Sequence, residues 1–323
     1  MTDKPRFHED ARPVVVTGAP RSGTTFLTVA MNQHPQILLT NELRPWVFVN
    51  HVRLRSKTPS ELLPEHPQRE VFQRAMMGEL YRFVDRFYRT RVPRTEMIVA
   101  TGKPPSVDPQ IRAYGDKNPS YADPKESWCA GMIAKHWPGV RFVHIHRDPR
   151  SCAASYKSVP VYSDEIAKVT QIWKRHIEAM DTLARSLDGE DRIMTIRYED
   201  LVTERGLDIM RKLEGFLGLD PANEPADFLK KEMTRRTPYR SPATPDALLG
   251  QTSFDQRLTP DEIGYVEHEC RSLMETLGYE PGLDPDAAAT SARAIKKKSR
   301  ASRAAKKAKR ANVSGSTAKK VDT

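Results

Sequence analysis

The chain has 323 residues, of which 38% are hydrophobic and 29% are charged, enough for one large globular domain or two small ones. Twelve of its 52 lysines and arginines, but only two of its 42 acidic residues, follow residue 285, so the net charge of +10 belongs to that last segment. The composition therefore excludes a fold that is basic throughout.

The cysteines and the N-terminal residues indicate in which cellular compartment the protein is expected. Cys129, Cys152 and Cys270 lie far apart without CxxC spacing, which indicates neither a disulfide framework nor a zinc site and favours a reducing cytosol. The sequence MTDKPRFHEDARP at the start is charged and lacks the apolar segment of an export signal. No uncharged apolar run approaches the roughly 18 residues that cross a bilayer. We therefore expect a cytoplasmic protein, with peripheral membrane contact through the basic end.

The first predicted element is a short buried strand, because PVVVTGAP is a β-branched run that stops at glycine and proline. A helix is predicted from about Thr24 to Asn32. Between strand and helix, Gly18 and Gly23 stand five residues apart, as in the phosphate-binding loop G-x-x-x-x-G-K-[ST], but Thr24 replaces the lysine of that loop.

The glycine loop carries an arginine and hydroxyl groups instead of a lysine. Arg21 lies inside it, and Ser22, Thr24 and Thr25 bring hydroxyls to the start of the helix beside Gly23. Free backbone N–H groups and the positive end of a helix attract anions. The loop is therefore predicted to hold a 5′-phosphate without a γ-phosphate or a metal, against the alternative of a tight turn with no ligand.

The middle of the chain alternates helices with one further strand. Apolar residues at helical spacing predict a long helix over residues 68–90, and the proline-rich stretch 101–109 predicts a loop. A helix is expected over 124–136. The run VRFVHIHR, residues 140–147, predicts a strand that leads into a helix from about residue 151.

The rest of the body continues this alternation. Residues 166–183 predict a long helix, RIMTIRYE a third strand, and residues 204–217 and 260–277 two further helices. The last helix has a capping box at Thr259-Pro260-Asp261-Glu262, with a glycine, Gly278, after its end.

Strands alternating with helices predict a three-layer, P-loop-like α/β fold, with a central and mostly parallel sheet, helices on both faces and ligands at the carboxyl ends of the strands. We expect one domain over residues 1–285. Residues 286–323 contain almost no large apolar side chain, which predicts a disordered basic tail rich in lysine and alanine. Its charge favours nonspecific contact with nucleic acid or an anionic membrane.

A second anion site is suggested by HRDPRSCAAS. Arg147 comes where a strand ends, and Ser155 follows eight residues later on the early turns of a helix. Both could face one further phosphate beside the first loop, although an arginine at a strand end more often makes a surface ion pair.

Together, GAPRSGTTFL and RFVHIHRDPRSCAAS resemble the 5′-phosphosulfate loop and the 3′-phosphate motif of sulfotransferases, which use 3′-phosphoadenosine 5′-phosphosulfate (PAPS). The resemblance continues through YGDKNPS, RYEDLV and EGFLGL to LTPDEI and LMETLGYEP, over most of residues 12–281. It implies transfer of a sulfuryl group from PAPS to an acceptor hydroxyl or amine without a metal. The implied PAPS contacts are Arg21, Ser22, Gly23, Thr24, Thr25, Arg147, Ser155, Tyr198, Ser253 and Arg257. For Tyr198, packing is an equal alternative.

The arginine in the first motif makes the chain more similar to tyrosylprotein sulfotransferases and related bacterial and carbohydrate enzymes. That branch implies Glu42 as the general base, Arg44 near the acceptor and Lys117, in DKNP, as the counterpart of the lysine in that family's K-D-P motif. Sulfuryl transfer needs a carboxylate base and cations where charge grows on the bridging oxygen, and Glu42, Arg21 and Lys117 have those residue types. The alternatives are a solvated loop acid and a surface lysine.

Two rival functions stay open. A nucleotide kinase or nucleoside triphosphatase is disfavoured by the absent loop lysine, and a non-enzymatic anion-binding protein would act through its basic tail. The acceptor is not identified, because membrane anchoring and disulfides typical of tyrosylprotein sulfotransferases are not evident here. A carbohydrate, lipid, phenol or peptide fits an acceptor pocket predicted over residues 44–116, with the aromatic residues Trp46, Phe48, Tyr81, Phe87 and Tyr88.

Overall fold

The computed structural model describes residues 6–57, 69–91, 110–123, 129–157, 165–187, 191–234, 239–241, 244–249 and 253–299. Its strands are β1 (Phe7–Thr17), β2 (Ile37–Asn41), β3 (Ile111–Lys117), β4 (Arg141–His146), β5 (Ile193–Arg197), β6 (Tyr239–Ser241) and β7 (Thr244–Leu249). Its α-helices are α1 (Thr24–Asn32), α2 (Pro45–Lys57), α3 (Arg69–Thr90), α4 (Ala130–His136), α5 (Pro149–Lys157), α6 (Ile166–Ser186), α7 (Tyr198–Leu201), α8 (Arg205–Leu217), α9 (Glu224–Met233), α10 (Pro260–Thr276) and α11 (residues 285–299).

The central sheet has five parallel strands in the order β2-β3-β1-β4-β5. The predicted parallel α/β fold and the strands β1, β4 and β5 are confirmed. The sequence prediction missed β2 and β3. The β2 segment ILLTN is only five residues long, and the β3 segment IRAYGDK carries a glycine and three charged residues, so neither has a strong strand pattern.

Helices cover both faces of this sheet. On one face, α1, α8 and α9 pack against the strands through a cluster that includes Phe26, Leu27, Leu213 and Leu229. On the other face, the packed residues include Trp46, Tyr88 and Trp137, from α2, α3 and the end of α4. Cover on both faces is typical of a parallel sheet.

Several helix boundaries differ from the sequence prediction. The helices α2 and α9 and the antiparallel hairpin β6–β7 were not predicted. The helix expected over residues 124–136 begins at Ala130, and residues 124–128 lie outside the described residues, as does the loop expected over 101–109. The capping box at the start of α10 is confirmed: Thr259 N–H donates to Glu262 Oε2 (2.8 Å), and Glu262 N–H donates to Thr259 Oγ1 (3.3 Å).

The chain forms two compact units where the sequence indicated one domain over residues 1–285. The first consists of Met1–Arg147 and Arg175–Gln251, and the second of Asp148–Lys174 and Thr252–Thr323. The sheet belongs to the first unit. No helix in the described ranges is both long and apolar enough to cross a membrane.

The expected disorder from residue 286 onward is wrong for residues 286–299, which form most of α11. Ala288, Ala292 and Ile295 are buried at helical spacing. A Cβ atom at Gly264 of α10 would lie 2.5 Å from Ser291 Oγ, so the two helices approach closely. A narrow stripe of small apolar residues therefore suffices to order this helix, although its average composition is polar. Residues 300–323 lie outside the described residues.

Candidate active site

The carboxyl ends of the five parallel strands meet at one edge of the sheet, and each carries a residue predicted for the site. In spatial order these are Glu42 after β2, Lys117 at the end of β3, the glycine loop (Gly18–Thr25) after β1, Arg147 after β4 and Tyr198 after β5. All of them belong to the first unit. The strand order thus places a carboxylate, an ammonium group, an anion-binding loop, a guanidinium group and a phenol side by side.

The glycine loop has a backbone conformation that few residue types can adopt. Gly23 has φ 95°, and a Cβ atom there would lie 2.3 Å from Cδ2 of the Tyr198 ring. Arg21 also has a positive φ, 72°. The loop leads directly into α1, whose first N–H groups lack intrahelical acceptors and so favour an anion. Thr24 and Thr25 stand at this end of α1, as predicted.

Ser22 differs from its predicted role as a phosphate donor. Its backbone N–H donates to the Ala19 carbonyl (3.0 Å), and its hydroxyl donates to the Ile145 carbonyl (3.2 Å). The Ser22 N–H thus closes a turn within the loop, and the hydroxyl holds the loop against β4. The remaining predicted phosphate contacts in the loop are Arg21, Gly23, Thr24 and Thr25.

Arg147 is buried beside the loop rather than exposed at the surface. Its side chain is among the buried groups, at 8% exposure, and Nη1 donates to the Arg21 carbonyl (3.4 Å). Its guanidinium carbon lies 4.5 Å from the centroid of the Tyr198 ring, a cation–π contact. Arg147 thus brings a buried positive charge next to the glycine loop.

Glu42 and Lys117 form a close pair at the other end of the edge. Lys117 Nζ donates to Glu42 Oε1 (2.7 Å) and to Thr25 Oγ1 (3.1 Å). The Lys117 side chain is 1% exposed, whereas that of Glu42 is 38% exposed. Arg44 Nη2 donates to the second carboxylate oxygen of Glu42 (3.3 Å). Lys117 therefore links the exposed carboxylate to the start of α1.

The environment shifts the pKa of both members of the pair. Burial lowers the pKa of Lys117 from its usual 10.5, although the charge and hydrogen bond of Glu42 oppose the shift. For Glu42, burial alone would raise the pKa, but Lys117 and Arg44 outweigh burial and lower it below 4.5. Glu42 is thus ionised at neutral pH, as a general base must be.

Ser155, Ser253 and Arg257 belong to the second unit, so their predicted phosphate contacts stay predictions. Ser155 is half-buried on α5, and Ser253 and Arg257 flank the short 3-10 helix Phe254–Gln256. The neighbouring Arg150 is held within the second unit, by Asp148 (2.7 Å) and by the buried Glu267 (2.6 Å).

The aromatic residues expected to line the acceptor pocket separate into two groups. Trp46 and Tyr88 are fully buried in the core, where both rings pack on Trp137, so their predicted place in a pocket is wrong. Phe48 is 60% exposed, and Leu43 beside Glu42 is 40% exposed. The predicted acceptor residue Arg44 is also exposed, at 54%.

Two histidines of β4 lie in the interior of the first unit. Burial, reinforced by His146 and His176, lowers the pKa of His144 to about 3. Burial, with Arg197, lowers the pKa of His146 to about 4. His144 Nε2 has no hydrogen-bond partner among the described residues, which also hold no group of three side chains suited to a metal ion.

We predict that His144 makes the protein sensitive to acid. Its folded pKa of about 3 lies below the usual 6.5, so the stabilisation from its neutral form is complete above pH 6.5 and is lost as the pH falls toward 3. At pH 5 the expected loss is about 2 kcal/mol of unfolding free energy. The unfolding free energy can be measured with urea at pH 7 and at pH 5. Its decrease between these two pH values should be smaller in His144→Leu than in the wild-type protein, by the amount given above. Equal losses in both proteins would contradict the prediction.

Comparisons with known proteins find relatives over most of the chain. A model of the family described as "Sulfotransferase family" matches residues 13–224. Protein-tyrosine sulfotransferase A of Caenorhabditis elegans is 21% identical over 301 residues, which cover 88% of this chain and 72% of that protein. Protein-tyrosine sulfotransferase of Drosophila melanogaster is 25% identical over 219 residues, 65% of this chain but only 39% of that protein.

Two solved structures share the fold. The sulfotransferase domain from the curacin biosynthetic pathway has a TM-score of 0.52 at 16% identity, with 84% of this chain and 98% of that chain covered. The sulfotransferase domain from the Synechococcus PCC 7002 olefin synthase has a TM-score of 0.52 at 18% identity, with 87% and 99% covered. The family match spans more than half of the chain and contains Glu42, Lys117, Arg147 and Tyr198. This protein therefore belongs to the sulfotransferase family, and its chemistry is sulfuryl transfer.

Proposed function

We propose that the protein transfers the sulfuryl group of PAPS to an acceptor hydroxyl by in-line displacement, with Glu42 as the general base. The observation that carries this proposal is the 2.7 Å pair of Glu42 and Lys117, which lies beside an anion-binding loop without a lysine of its own. The test is to follow ³⁵S from labelled PAPS into a product.

The positions of the cations suit a donor with two separate anionic groups. The N–H groups at the start of α1, with Arg21, Thr24 and Thr25, would hold the 5′-phosphosulfate. Arg147 would bind the 3′-phosphate. The Tyr198 ring, in contact with Arg147 at 4.5 Å, would then border the nucleotide.

The proposed reaction transfers one sulfuryl group and one proton. The acceptor oxygen forms a bond to sulfur as its proton passes to the Glu42 carboxylate. The bond from sulfur to the bridging oxygen of the 5′-phosphate breaks, and its electron pair stays on that oxygen. The products are the sulfated acceptor and adenosine 3′,5′-bisphosphate. A carboxylate that is already ionised can accept the proton, and its exposed fraction of 38% leaves it open to an acceptor.

Lys117 and Arg21 would stabilise the charge that develops on the leaving oxygen. Lys117 Nζ contacts both Glu42 and Thr25, so one ammonium group lies between the base and the phosphate end of α1. A buried cation needs little reorganisation during the reaction, and its electrostatic effect is stronger than in water.

For the acceptor, we propose a phenolic hydroxyl next to negative charge, such as tyrosine in an acidic peptide. The exposed Leu43 and Phe48 offer apolar contact near Glu42, and the exposed Arg44 offers a cation. Protein tyrosine is the substrate that the names of the two relatives state. A carbohydrate or a lipid headgroup would use the cation but less of the apolar surface.

The segment beyond α11 has a proposed role outside catalysis. Its lysines and arginines favour weak, salt-sensitive contact with nucleic acid or an anionic membrane, in a cytoplasmic protein. Since α11 is folded, a deletion that tests this segment should begin after residue 299 rather than at residue 286. The shortened chain should keep its turnover.

A further inference from the structure

The turn that carries Glu42 has an unfavourable backbone conformation. Glu42 has φ 58° and Arg44 has φ 61°, both in the left-handed region although neither is glycine. A residue other than glycine is strained in this region and persists there only where its surroundings enforce it. Pro45 follows directly and begins α2. The surroundings of this turn therefore contain a group that holds it.

That group is Asp116 on β3, which is fully buried. Its Oδ1 accepts the Leu43 N–H (3.2 Å), and its Oδ2 accepts the Arg44 N–H (3.2 Å). Two hydroxyls complete the set: Thr40 Oγ1 donates to Oδ1 (2.6 Å) and the Tyr121 hydroxyl donates to Oδ2 (2.7 Å). Four donors thus converge on one carboxylate.

We propose that Asp116 is a positioning residue whose ionised carboxylate binds the consecutive N–H groups of Leu43 and Arg44 and thereby sets the place of Glu42 in the site. This inference rests on the proposed role of Glu42 as the base. Asp116 directly precedes Lys117 but carries no motif of its own in the sequence.

The geometry explains why this position needs a carboxylate. Successive N–H groups in a turn form a concave site for an anion, and each Asp116 oxygen accepts one of them. An asparagine keeps the shape but has only one acceptor oxygen, so its NH₂ group would face an N–H donor. Asp116 and Lys117 are neighbours on β3, so one short segment holds both the backbone of the turn and the side chain of Glu42.

Ionisation of Asp116 should control the turn near pH 6. Burial raises the pKa of Asp116 from 3.8 to about 6, while its hydrogen bonds from Thr40 and Tyr121 lower it. The other titratable or charged groups around it are Lys117, Tyr88 behind Thr40, and Glu42 and Arg44 on the turn itself. Glu42 has a lowered pKa, so it stays ionised at the pH where Asp116 takes up a proton.

The test is a pH titration of the Leu43 and Arg44 amide signals in ¹⁵N TROSY spectra of the full chain. In the wild-type protein both amides should titrate together with a midpoint near 6, the pKa of Asp116. Tyr121→Phe removes one donor from the ionised carboxylate, so the midpoint should rise by about 1 pH unit or more. Tyr114→Phe is the matched control, because the Tyr114 hydroxyl donates to Asp85 instead and the midpoint should not move.

Asp116→Asn should abolish this titration, and its turnover with a phenol probe and PAPS should fall without weaker binding of adenosine 3′,5′-bisphosphate. The proposal would be overturned if the titration midpoint were the same in Tyr121→Phe as in the wild-type protein. Undiminished turnover in Asp116→Asn would also overturn it. The amide titration needs no acceptor and no donor. A failure of Glu42 as base would therefore leave the titration intact, which separates the two outcomes.

Discussion

Replacing Glu42 by glutamine is expected to lower turnover about 10² to 10⁴-fold, the usual range for loss of a general base. Glutamine keeps the size of the side chain but cannot take the proton of the acceptor. Binding of adenosine 3′,5′-bisphosphate should survive, because Glu42 lies at the β2 end of the site and Arg147 at the β4 end. The measurement is steady-state turnover with saturating PAPS, together with a calorimetric titration of the bisphosphate.

Glu79→Gln is the matched control for this experiment. Glu79 is an exposed acid of α3 that also pairs with an arginine, Arg82, so the same chemical change occurs away from the site. Its turnover should equal that of the wild type. Unchanged turnover in Glu42→Gln would remove Glu42 as the base. Loss of bisphosphate binding would instead indicate that Lys117, left beside a neutral partner, had moved.

Replacing Arg147 by alanine is expected to weaken binding of adenosine 3′,5′-bisphosphate about 10²-fold, the scale for removing one member of a buried ionic contact. Binding of adenosine 5′-monophosphate should change little, because it lacks the 3′-phosphate assigned to Arg147. The ratio of the two dissociation constants, measured by calorimetry, isolates the 3′-phosphate from any general damage to the site.

Arg141 supplies the control for this ratio. It lies at the opposite end of β4, where its guanidinium carbon is 4.9 Å from the centroid of the Phe216 ring. Arg141→Ala should leave both nucleotide affinities as they are. Equal losses for both nucleotides in Arg147→Ala would contradict the assignment of Arg147 to the 3′-phosphate.

The fold could be predicted from the sequence where local pattern and burial agree. The strand β1 contains the apolar run VVV, β4 contains the β-branched and aromatic residues of RFVHIH, and the capped helix α10 carries its boundary signals in the sequence itself. The strands β2 and β3 lack such a pattern and are defined by their pairing, that of β2 with β3 and that of β3 with β1. Pairing of distant segments is a tertiary property, which local spacing does not contain.

The same limit applies to the site. The glycine loop was recognised from its own residues, but Glu42 and Lys117 are 75 residues apart, and only the family resemblance linked them. Asp116 had no signal beyond its position before Lys117, because its role depends on backbone N–H groups of a distant turn. Contacts that involve the backbone of another segment cannot be inferred from residue types.

In the segment after residue 285, by contrast, the sequence does contain the signal for the helix that was not predicted. Its average composition indicated disorder, yet Ala288, Ala292 and Ile295 form an apolar stripe on α11. Ion pairs with α10 add to this packing, from Lys296 to Glu269 (2.8 Å) and from Lys298 to Asp261 (3.4 Å). Composition averaged over the segment concealed a helical period that a search for spacing would have detected.

The proposed reaction transfers a sulfuryl group from PAPS, whereas a kinase would transfer a phosphoryl group from ATP. The most direct measurement incubates the protein with ³⁵S-labelled PAPS and, in a parallel sample, with γ-³²P-labelled ATP, each with a tyrosine-containing acidic peptide and with extract of the native host. We expect ³⁵S in an acceptor product, adenosine 3′,5′-bisphosphate in equal amount, no ³²P transfer, and the same result with a chain that ends at residue 299. Transfer of ³²P without transfer of ³⁵S would contradict the proposal.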